Sequence, residues 1–219
     1  MLEILIKYHQ GFLNGLFVTL KLISLIWFIG ISLGFLIGFL GSKWQGTIGK
    51  FSQIIAFILS GIPVLVFLFW LHYPAQSILN IVIDPFYTTV FALSIVNIFT
   101  ISEIVRNARI QFPQQYINAA KVCGISSSKR FQLIELPLIM RYILPPILNT
   151  QVSMLHLTLF ASLISVDEIF RAAQRINSQI YQPVEIYSLL GLFFLAVSLP
   201  LNGLAIYFKK KYGRNLSEK

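Results

Sequence analysis

The chain has 219 residues, of which 56% are hydrophobic and only 11% are charged. Soluble domains carry about 25% charged residues, so this composition excludes a soluble globular protein and indicates an integral membrane protein. The formal net charge of +9 would suggest nucleic acid in a soluble protein, but basic residues also collect in cytoplasmic loops, so we expect no nucleic-acid partner. The single cysteine, Cys123, excludes an internal disulfide.

Five apolar runs are long enough to cross a bilayer, which takes about 20 residues each. The first, Leu22–Ser42, belongs to a helix predicted to begin near Phe12. The second contains Pro63 and Pro74, so we expect a helix over Gln53–Tyr73 and then a turn outside the membrane. The other spans are Pro85–Ser102, Tyr142–Val166 and Ile186–Phe208. Pro145-Pro146 lie near the start of the fourth span, and Pro200 is expected to kink the fifth. An all-α integral membrane fold with five transmembrane helices follows.

The distribution of basic residues sets the orientation of these spans. With the C-terminus inside, the outer segments hold three basic residues, Lys7, Arg171 and Arg175. Thirteen lie inside, namely Lys43, Lys50, Arg106, Arg109, Lys121, Lys129, Arg130, Arg141, Lys209, Lys210, Lys211, Arg214 and Lys219. Because cytoplasmic segments are enriched in lysine and arginine, we expect the N-terminus outside and the C-terminus in the cytoplasm. We interpret Lys209 to Lys211 as a stop signal near lipid headgroups, not as a binding site.

The segment between the third and fourth spans, residues 106–141, is polar and basic and therefore belongs in water. Its first part, Gln114 to Lys121, favours a helix, and Gly124 then permits a positive φ and a sharp turn. The serines at 126–128 are expected to cap a second helix, which Pro137 ends. The pattern predicts a rigid elbow of two short helices. An amphipathic hairpin lying on the lipid surface is the alternative.

The spacing of residues in this loop resembles a known family. Ala119-Ala120, Gly124, Ile134 and Leu136-Pro137 match the EAA loop of ABC importer permeases. Further segments resemble, in order, motifs of the polar amino acid subfamily; they are Gly15 to Leu20, Gly61 to Val66, Glu103 to Arg106, Leu144 to Asn149, and Glu168 with Arg171 to Gln174. The ordered set covers nearly the whole chain.

The resemblance implies a type I ABC importer transmembrane domain in a single domain, 1–219, with its core at 15–208 and a cytoplasmic coupling loop at 106–141. It implies a bacterial cytoplasmic (inner) membrane location, a separate ABC ATPase that uses ATP, a solute-binding protein, and a second permease copy or paralogue, with no cofactor bound by this chain. The residues expected to couple to the ATPase are Tyr116, Asn118, Ala119, Ala120, Gly124, Lys129, Arg130 and Pro137.

Two departures from the family pattern matter. Asn118 stands where the family usually has glutamate, so a negative charge is missing from the loop. The tract His156 to Phe160 stands where the family commonly has KDTSL, and only Thr158 is kept. A subunit without that lysine and carboxylate is poorly equipped to accept a charged amino acid. It would be the non-binding partner in an unequal pair, or would serve a less polar substrate.

Polar residues within the spans are candidates for the substrate pathway. Asn97, Thr100 and Glu103 lie three apart, and we expect them on one helical face. A Glu103–Arg106 ion pair that anchors the helix end is the favoured interpretation, and the alternative places Asn97 and Thr100 on the pathway wall.

A second set of polar residues lies on the fourth span. Asn149, Ser153 and His156 also share a face, either as a helix contact or with His156 meeting a substrate carboxylate, and Thr158 follows them. The outer segment Asp167 to Glu185 is polar enough to form a short helix outside the membrane. The resemblance implies that this face meets a solute-binding protein. A gate helix is the alternative, and both roles are compatible.

No pattern on the chain indicates catalysis. A phosphate-binding G-x-x-x-x-G-K-[ST] loop, a paired-carboxylate site and a metal-site spacing of histidines are all missing from the sequence. We therefore expect no enzyme activity and no bound metal. Two other classes stay open at this point: an ion-coupled secondary transporter, for which Lys21 and His156 are the only central ionisable residues, and a membrane scaffold.

Overall fold

The computed structural model describes residues 2–213; the expected inner residues Arg214 and Lys219 lie outside them. The described part is all-helical, with α1 Leu2–Lys43, α2 Lys50–Gly61, α3 Val64–His72, α4 Pro74–Leu79, α5 Pro85–Ile110, α6 Gln114–Val122, α7 Ser127–Arg130, α8 Leu136–Leu157, α9 Ile169–Ile180 and α10 Pro183–Gly213. Short π turns over Gln45–Gly49 and Phe131–Glu135 and a 3₁₀ turn over Thr158–Ile164 join some of them. The predicted fold class is confirmed.

The first helix is longer than predicted. It begins at Leu2 and not near Phe12, and it bends at Tyr8, where φ is −110° and ψ is 18°. The segment before Phe12 contains neither proline nor glycine until Gly11, so nothing in it ends a helix. At 1.5 Å per residue, the helix extends about 63 Å, twice the thickness of a hydrocarbon core.

The second span is not the single helix predicted over Gln53–Tyr73. The two halves on either side of the break at Ile62-Pro63 are bent by 97°. Pro63 supplies no N–H, and it forces the preceding residue out of the helical region, so Ile62 is extended at φ −103° and ψ 122°. Among the described residues, four helices are long and apolar enough to cross a membrane, or five if this bent pair counts as one span.

The expected end of the elbow at Pro137 is also wrong. The chain stays helical from Ser127 to Ile164, one run of 38 residues that passes through Pro137 and the pair Pro145-Pro146. Pro137 is the second residue of α8 and directly follows the π turn. Near the start of a helix the missing N–H of a proline costs little, because that N–H would lack a helical partner anyway.

A row of glycines brings α1 and α5 into close contact. Gly30, Gly34 and Gly38 face α5, and a Cβ at Gly34 would lie 2.7 Å from the Ile98 carbonyl oxygen. A Cβ at Gly38 would come equally close, 2.8 Å, to the Cβ of Val105. Small residues four apart let the backbones of membrane helices approach, which gains dispersion energy along the whole contact.

A buried amide pair ties three helices together at the same level. Asn97 Nδ2 on α5 donates to the Ile26 carbonyl of α1 at 3.1 Å and to Gln151 Oε1 of α8 at 3.1 Å. Gln151 Nε2 donates back to Asn97 Oδ1 at 3.2 Å. Both amides are buried, and each satisfies hydrogen-bonding groups of the other that would otherwise lack a partner.

At the end of the molecule away from the elbow, called the outer end after the predicted orientation, the chain reverses between α8 and α9. The predicted helix within Asp167 to Glu185 is confirmed as α9. Its first N–H, that of Ile169, donates to Thr19 Oγ1 of α1 at 3.1 Å, and a Cβ at Gly15 of α1 would lie 2.9 Å from the Cα of Ile169. This end of the molecule is therefore held to α1 by backbone-level packing.

Candidate functional site

The elbow, residues 114–130, is built on a helix stop of known type. Gly124 has φ of 70°; its N–H donates to the Lys121 carbonyl at 3.0 Å, and the N–H of Ile125 donates to the Ala120 carbonyl at 3.0 Å. This pair of hydrogen bonds is the Schellman motif, in which glycine takes the left-handed position. The predicted first helix and the predicted positive φ at Gly124 are confirmed.

The second arm of the elbow starts differently from the prediction. Ser126 occupies the N-cap position of α7, but its hydroxyl makes no capping hydrogen bond. Because the three serines at 126–128 are exposed, water can satisfy the open N–H groups of α7. The arm is held instead by an ion pair across the π turn, in which Arg130 Nε lies 2.7 Å from Glu135 Oε1.

One face of the elbow packs on the transmembrane bundle. Phe112 and the half-buried Tyr116 join an apolar cluster with Ile101 of α5 and Ile139 of α8. Ala120 is only 3% exposed. The structure thus places Ala120 inside the packing of this chain, where it supports the elbow.

The opposite face of the elbow is open. Asn118, Ala119, Gly124 and Lys129 are exposed, and a Cβ at Gly124 would meet nothing within 4 Å. Arg130 is occupied by Glu135, and Pro137 is half-buried in the helix that follows. The expected coupling residues therefore divide into four that form a free surface and four that hold this surface in place.

A groove of about 970 Å³ runs between the bent pair α2–α3 and α5. Its apolar wall comes from α2, from the break at Ile62-Pro63, from Val64 at the start of α3 and from α5. Its polar residues are Gln53, Ser60, Thr100, Glu103 and Asn107. A groove of this size with few polar groups is typical of a small-molecule site.

The floor of the groove carries a charge network. Arg106 Nε and Nη2 donate to the two carboxylate oxygens of Glu103 at 3.0 and 2.7 Å, and Nη2 also donates to Asn107 Oδ1. The favoured Glu103–Arg106 pair is confirmed. In the amide orientation that satisfies both groups, Gln53 Oε1 accepts from Arg106 Nη2 at 2.8 Å. The network therefore links α2 to α5 as well as neutralising the two charges.

Two of the predicted pathway residues, Asn97 and Thr158, are buried inside the chain. Asn97 is fully buried in the amide pair and does not line the groove. Residues three apart on a helix are displaced by about 60°, so Asn97 and Glu103 point in directions about 120° apart. Thr158 is also fully buried, and its hydroxyl donates to the Leu155 carbonyl at 2.7 Å.

The predicted polar face of α8 is present but separate from the groove. Asn149, Ser153 and His156 are all exposed on one side of α8. His156 Nε2 lies 3.0 Å from Ser198 Oγ of α10. Among the described residues that line the groove, none comes from α8. Within one chain, therefore, Thr100 and Glu103 form one candidate surface, and Ser153 and His156 form another.

At the outer end, Glu168 is fully buried and caps α9. Its carboxylate accepts from the N–H groups of Phe170 and Arg171, each at 2.9 Å. Burial raises the pKa of Glu168 to about 7, because loss of hydration outweighs the backbone N–H groups and the nearby Arg171. Asp167 pairs with Arg171 and Arg175 on the exposed side of the same helix.

Sequence reasoning missed part of the groove and one buried partner. Gln53 and Ser60 on α2 and Asn107 on α5 line the groove but were not singled out. A signal was available for the first two, since residues seven apart share a helical face. Gln151, the partner of Asn97, was missed because a lone glutamine in an apolar run carries no pattern of its own.

Comparison with known proteins places these features in a family. Residues 30–214 match the model of the family described as binding-protein-dependent transport system inner membrane component. The histidine/lysine/arginine/ornithine transport system permease protein HisQ of Salmonella typhimurium is 26% identical over 214 residues, covering 91% of this chain and 92% of HisQ. The glutamine transport system permease protein GlnP of Escherichia coli K12 is 26% identical over 79% of this chain and 80% of its own length.

Solved structures show the same fold. A crystal structure of an amino acid ABC transporter with histidines contains a chain that superposes with a TM-score of 0.82 at 25% identity, covering 94% of this chain and 96% of that one. A chain of the methionine ABC transporter MetNI in an inward-facing conformation superposes with a TM-score of 0.66 at 15% identity, covering 91% of this chain and 97% of its own length. The second likeness concerns the fold alone.

Proposed function

This chain belongs to the family of binding-protein-dependent transport system inner membrane components, and from that premise we propose that it is a permease subunit of an ATP-driven amino acid importer. It is a multi-pass inner membrane protein and a transport subunit, not an enzyme. The relatives HisQ and GlnP, which the chain matches over most of its length, are amino acid permeases.

The observation that carries this proposal is the connection between the elbow and the transmembrane helices. The second arm of the elbow, α7, continues without interruption into α8, so that Ser127 and His156 stand on one helical run. At 1.5 Å per residue, the 29 steps between them cover about 44 Å. A push on the free face of the elbow is thereby delivered to the exposed polar side of α8.

The proposed mechanism needs partners that supply energy and complete the pathway. Two ATPase subunits bind the elbows of two permease subunits. The two permeases are either two copies of this chain or this chain and a paralogue. ATP binding draws the two ATPases together and favours the outward-facing arrangement of the permeases. ATP hydrolysis lets them return to the inward-facing arrangement. This is a shift between two states by a ligand that binds one of them better. A solute-binding protein delivers substrate at the outer end, near α9.

The pathway is proposed to lie between the two permeases. The groove beside α5 is open along one side, and a second subunit would close it over Thr100 and Glu103. Glu103 is engaged by Arg106, so we assign it to shaping the groove and not to direct binding of an ammonium group. His156 is the exposed candidate for binding the carboxylate of a substrate. Ser198 holds the imidazole of His156 in position.

The first experiment asks whether an ATPase is a partner. The chain, purified from its own organism with a C-terminal tag, is expected to bring down an ABC ATPase. Ala119→Trp should lower ATP-dependent amino acid uptake at least tenfold while the protein keeps its membrane level and thermal midpoint, because Ala119 is exposed on the elbow. Ala119→Ser is the matched control and should transport normally. Normal uptake by the tryptophan variant would contradict the coupling assignment.

The second experiment tests the proposed orientation, with the elbow and the C-terminus in the cytoplasm. Cys123 is the only cysteine of the chain and is exposed beside Gly124. A membrane-impermeant maleimide should label it in inverted vesicles from cells that lack the ATPase and should not label it in intact cells. Labelling from outside intact cells would place the elbow away from the cytoplasm and overturn the mechanism.

A further inference from the structure

A second groove, of about 310 Å³, lies between α8 and α10 at the same end of the bundle as the elbow. Arg141 and Lys209 stand at its mouth, and both side chains are exposed. Its walls include Pro145, Pro146 and Phe208, so a basic mouth is joined to an apolar interior. Nothing in the transport mechanism above uses these residues.

We propose that this groove binds an anionic phospholipid of the cytoplasmic leaflet, with a phosphatidylglycerol headgroup at its mouth. The assignment to that leaflet rests on the proposed function and its orientation. Basic pockets between transmembrane helices on the cytoplasmic side are suited to anionic headgroups, because the charge stays at the water interface while the acyl chains remain in hydrocarbon.

The charges around the groove complement a phosphate. Arg141 and Lys209 carry two positive charges, and Lys210 and Lys211 follow directly on α10. The described residues that line the groove include no acid, so no carboxylate competes for these cations. The guanidinium carbon of Arg141 also lies 5.5 Å from the ring centre of Tyr212, a cation–π contact that holds the charge at the mouth and leaves its N–H edges free to donate.

The two prolines explain why the headgroup should carry hydroxyls. A proline in a helix has no N–H, so Pro145 and Pro146 leave the carbonyls of Arg141 and Tyr142, four residues earlier, without their usual helical donors. Both of these residues line the groove. The glycerol hydroxyls of phosphatidylglycerol can donate to such carbonyls, whereas a choline headgroup has no donor.

Lipid binding can be measured without ATP or substrate, so its failure is distinct from a failure of the transport proposal. The full-length chain, purified with its partner subunits, is titrated with phosphatidylglycerol or with phosphatidylcholine of the same acyl chains and followed by native mass spectrometry. We expect selective binding of phosphatidylglycerol. Equal binding of the two lipids would overturn the proposal.

The variants locate the binding. Each basic residue near an anionic headgroup strengthens binding about fivefold, so Arg141→Gln with Lys209→Gln should weaken phosphatidylglycerol binding about 25-fold. The matched control, Lys43→Gln with Lys50→Gln, removes the same charge from exposed positions at the same end that do not line the groove; it should bind normally. Equal losses in both double variants would show attraction to the general surface charge and overturn a specific site.

A single variant guards against misfolding of the double variant. Lys209→Gln alone changes one exposed side chain and should give the fivefold loss even if the double variant does not fold.

Two further measurements test for occupants other than a lipid. Inorganic phosphate and glycerol 3-phosphate should not displace the lipid, because they lack acyl chains; displacement by either would make this a free-anion site and overturn the proposal. If binding is lost when the ATPase is present and gained when it is removed, the groove is a protein contact, and the lipid assignment is overturned.

Discussion

The two ends of the molecule contain the same type of turn, but different interactions stabilise it at each end. At the elbow end, called the inner end after the proposed orientation, α6 stops at Gly124. At the opposite, outer end, the 3₁₀ turn after α8 stops at Ser165. Both use the Schellman hydrogen bonds, since Val166 N–H donates to the Ala161 carbonyl at 3.0 Å and Ser165 N–H to that of Ser162 at 3.2 Å. Only the residue in the left-handed position differs, with φ of 70° at Gly124 and 77° at Ser165.

The difference reflects what surrounds each turn. Serine in the left-handed region costs about 1 kcal/mol relative to glycine. At the outer end, Ile164 and Val166 on either side are buried in the main apolar cluster, and their burial offsets that cost. At the inner end, Gly124 stands in open space, and no tertiary contact holds an unfavourable backbone in place. The outer turn is thus set by packing and the inner turn by its own residue, which leaves the inner surface free for a partner.

The largest expected effect comes from breaking the outer support at Gly15. Gly15→Leu forces a side chain against the Ala172 Cβ and the Ile169 Cα, each 2.9 Å from the new Cβ. Both belong to α9 and cannot move without unseating it, so we expect a loss of about 3 kcal/mol or more in stability. The measurement is the yield of monodisperse protein and its thermal midpoint in detergent. Gly203→Leu on α10, where a Cβ meets nothing within 4 Å, is the control. Similar losses in both would refute the outer anchor.

The next effect concerns Glu168, which caps α9 from a buried position. Its pKa in the folded protein is raised to about 7, above the ordinary value of about 4.3 for an unfolded chain. Between these two pKa values the folded state therefore holds a proton that the unfolded state has released. This contribution to stability is fully present below pH 4.3 and is lost as the pH rises through 7. Between pH 5 and 8 the loss is about 2–3 kcal/mol.

The pH dependence can be isolated with a neutral isostere. Glu168→Gln removes the titration, so the fall of the thermal midpoint between pH 5 and 8 should flatten in this variant. Asp167→Asn, next to it but exposed and paired with Arg171 and Arg175, is the control and should keep the wild-type profile. A midpoint that rises with pH in the wild type would contradict the raised pKa.

The smallest effects come from exchanging the residues of the two turns. Gly124→Ala places a Cβ at φ of 70° with no clash, so it should cost about 1 kcal/mol from the backbone alone. Ser165→Gly removes the same backbone strain but raises the conformational entropy of the unfolded chain. The net gain in the free energy of unfolding should therefore be about 0.5 kcal/mol or less. Midpoints in detergent measure both. Gly203→Ala, at an open position inside α10, should instead raise the midpoint, because alanine favours a helix interior by about 1 kcal/mol. If Ser165→Gly destabilises as much as Gly124→Ala, the two turns are not supported differently.

Several features followed from the sequence because they depend on local chemistry. The helix of the elbow, the positive φ of Gly124 and the Glu103–Arg106 pair each involve residues at most a few positions apart. The family motifs are equally local. Such features need only propensity, turn geometry and helical spacing.

The features that sequence reasoning got wrong or missed depend on partners distant in the chain or on the exact path of a helix. Pro137 reads as a helix end but is accommodated after a π turn. Asn97 reads as a pathway residue, yet its amide is used by Ile26 and Gln151, 71 and 54 positions away. Ala120 reads as part of a contact surface until the packing of the elbow buries it. A single sequence contains no measure of these distances.

The amide pair at Asn97 also has a consequence for how the chain is made. Gln151 leaves the ribosome 54 residues after Asn97, so α5 is made before the glutamine that pairs with its amide. An amide in hydrocarbon without a partner is unfavourable by a few kcal/mol. The α1–α5 glycine contact offers the Ile26 carbonyl to one side of that amide, so we expect α1 and α5 to associate first and α8 to complete the amide pair when it arrives.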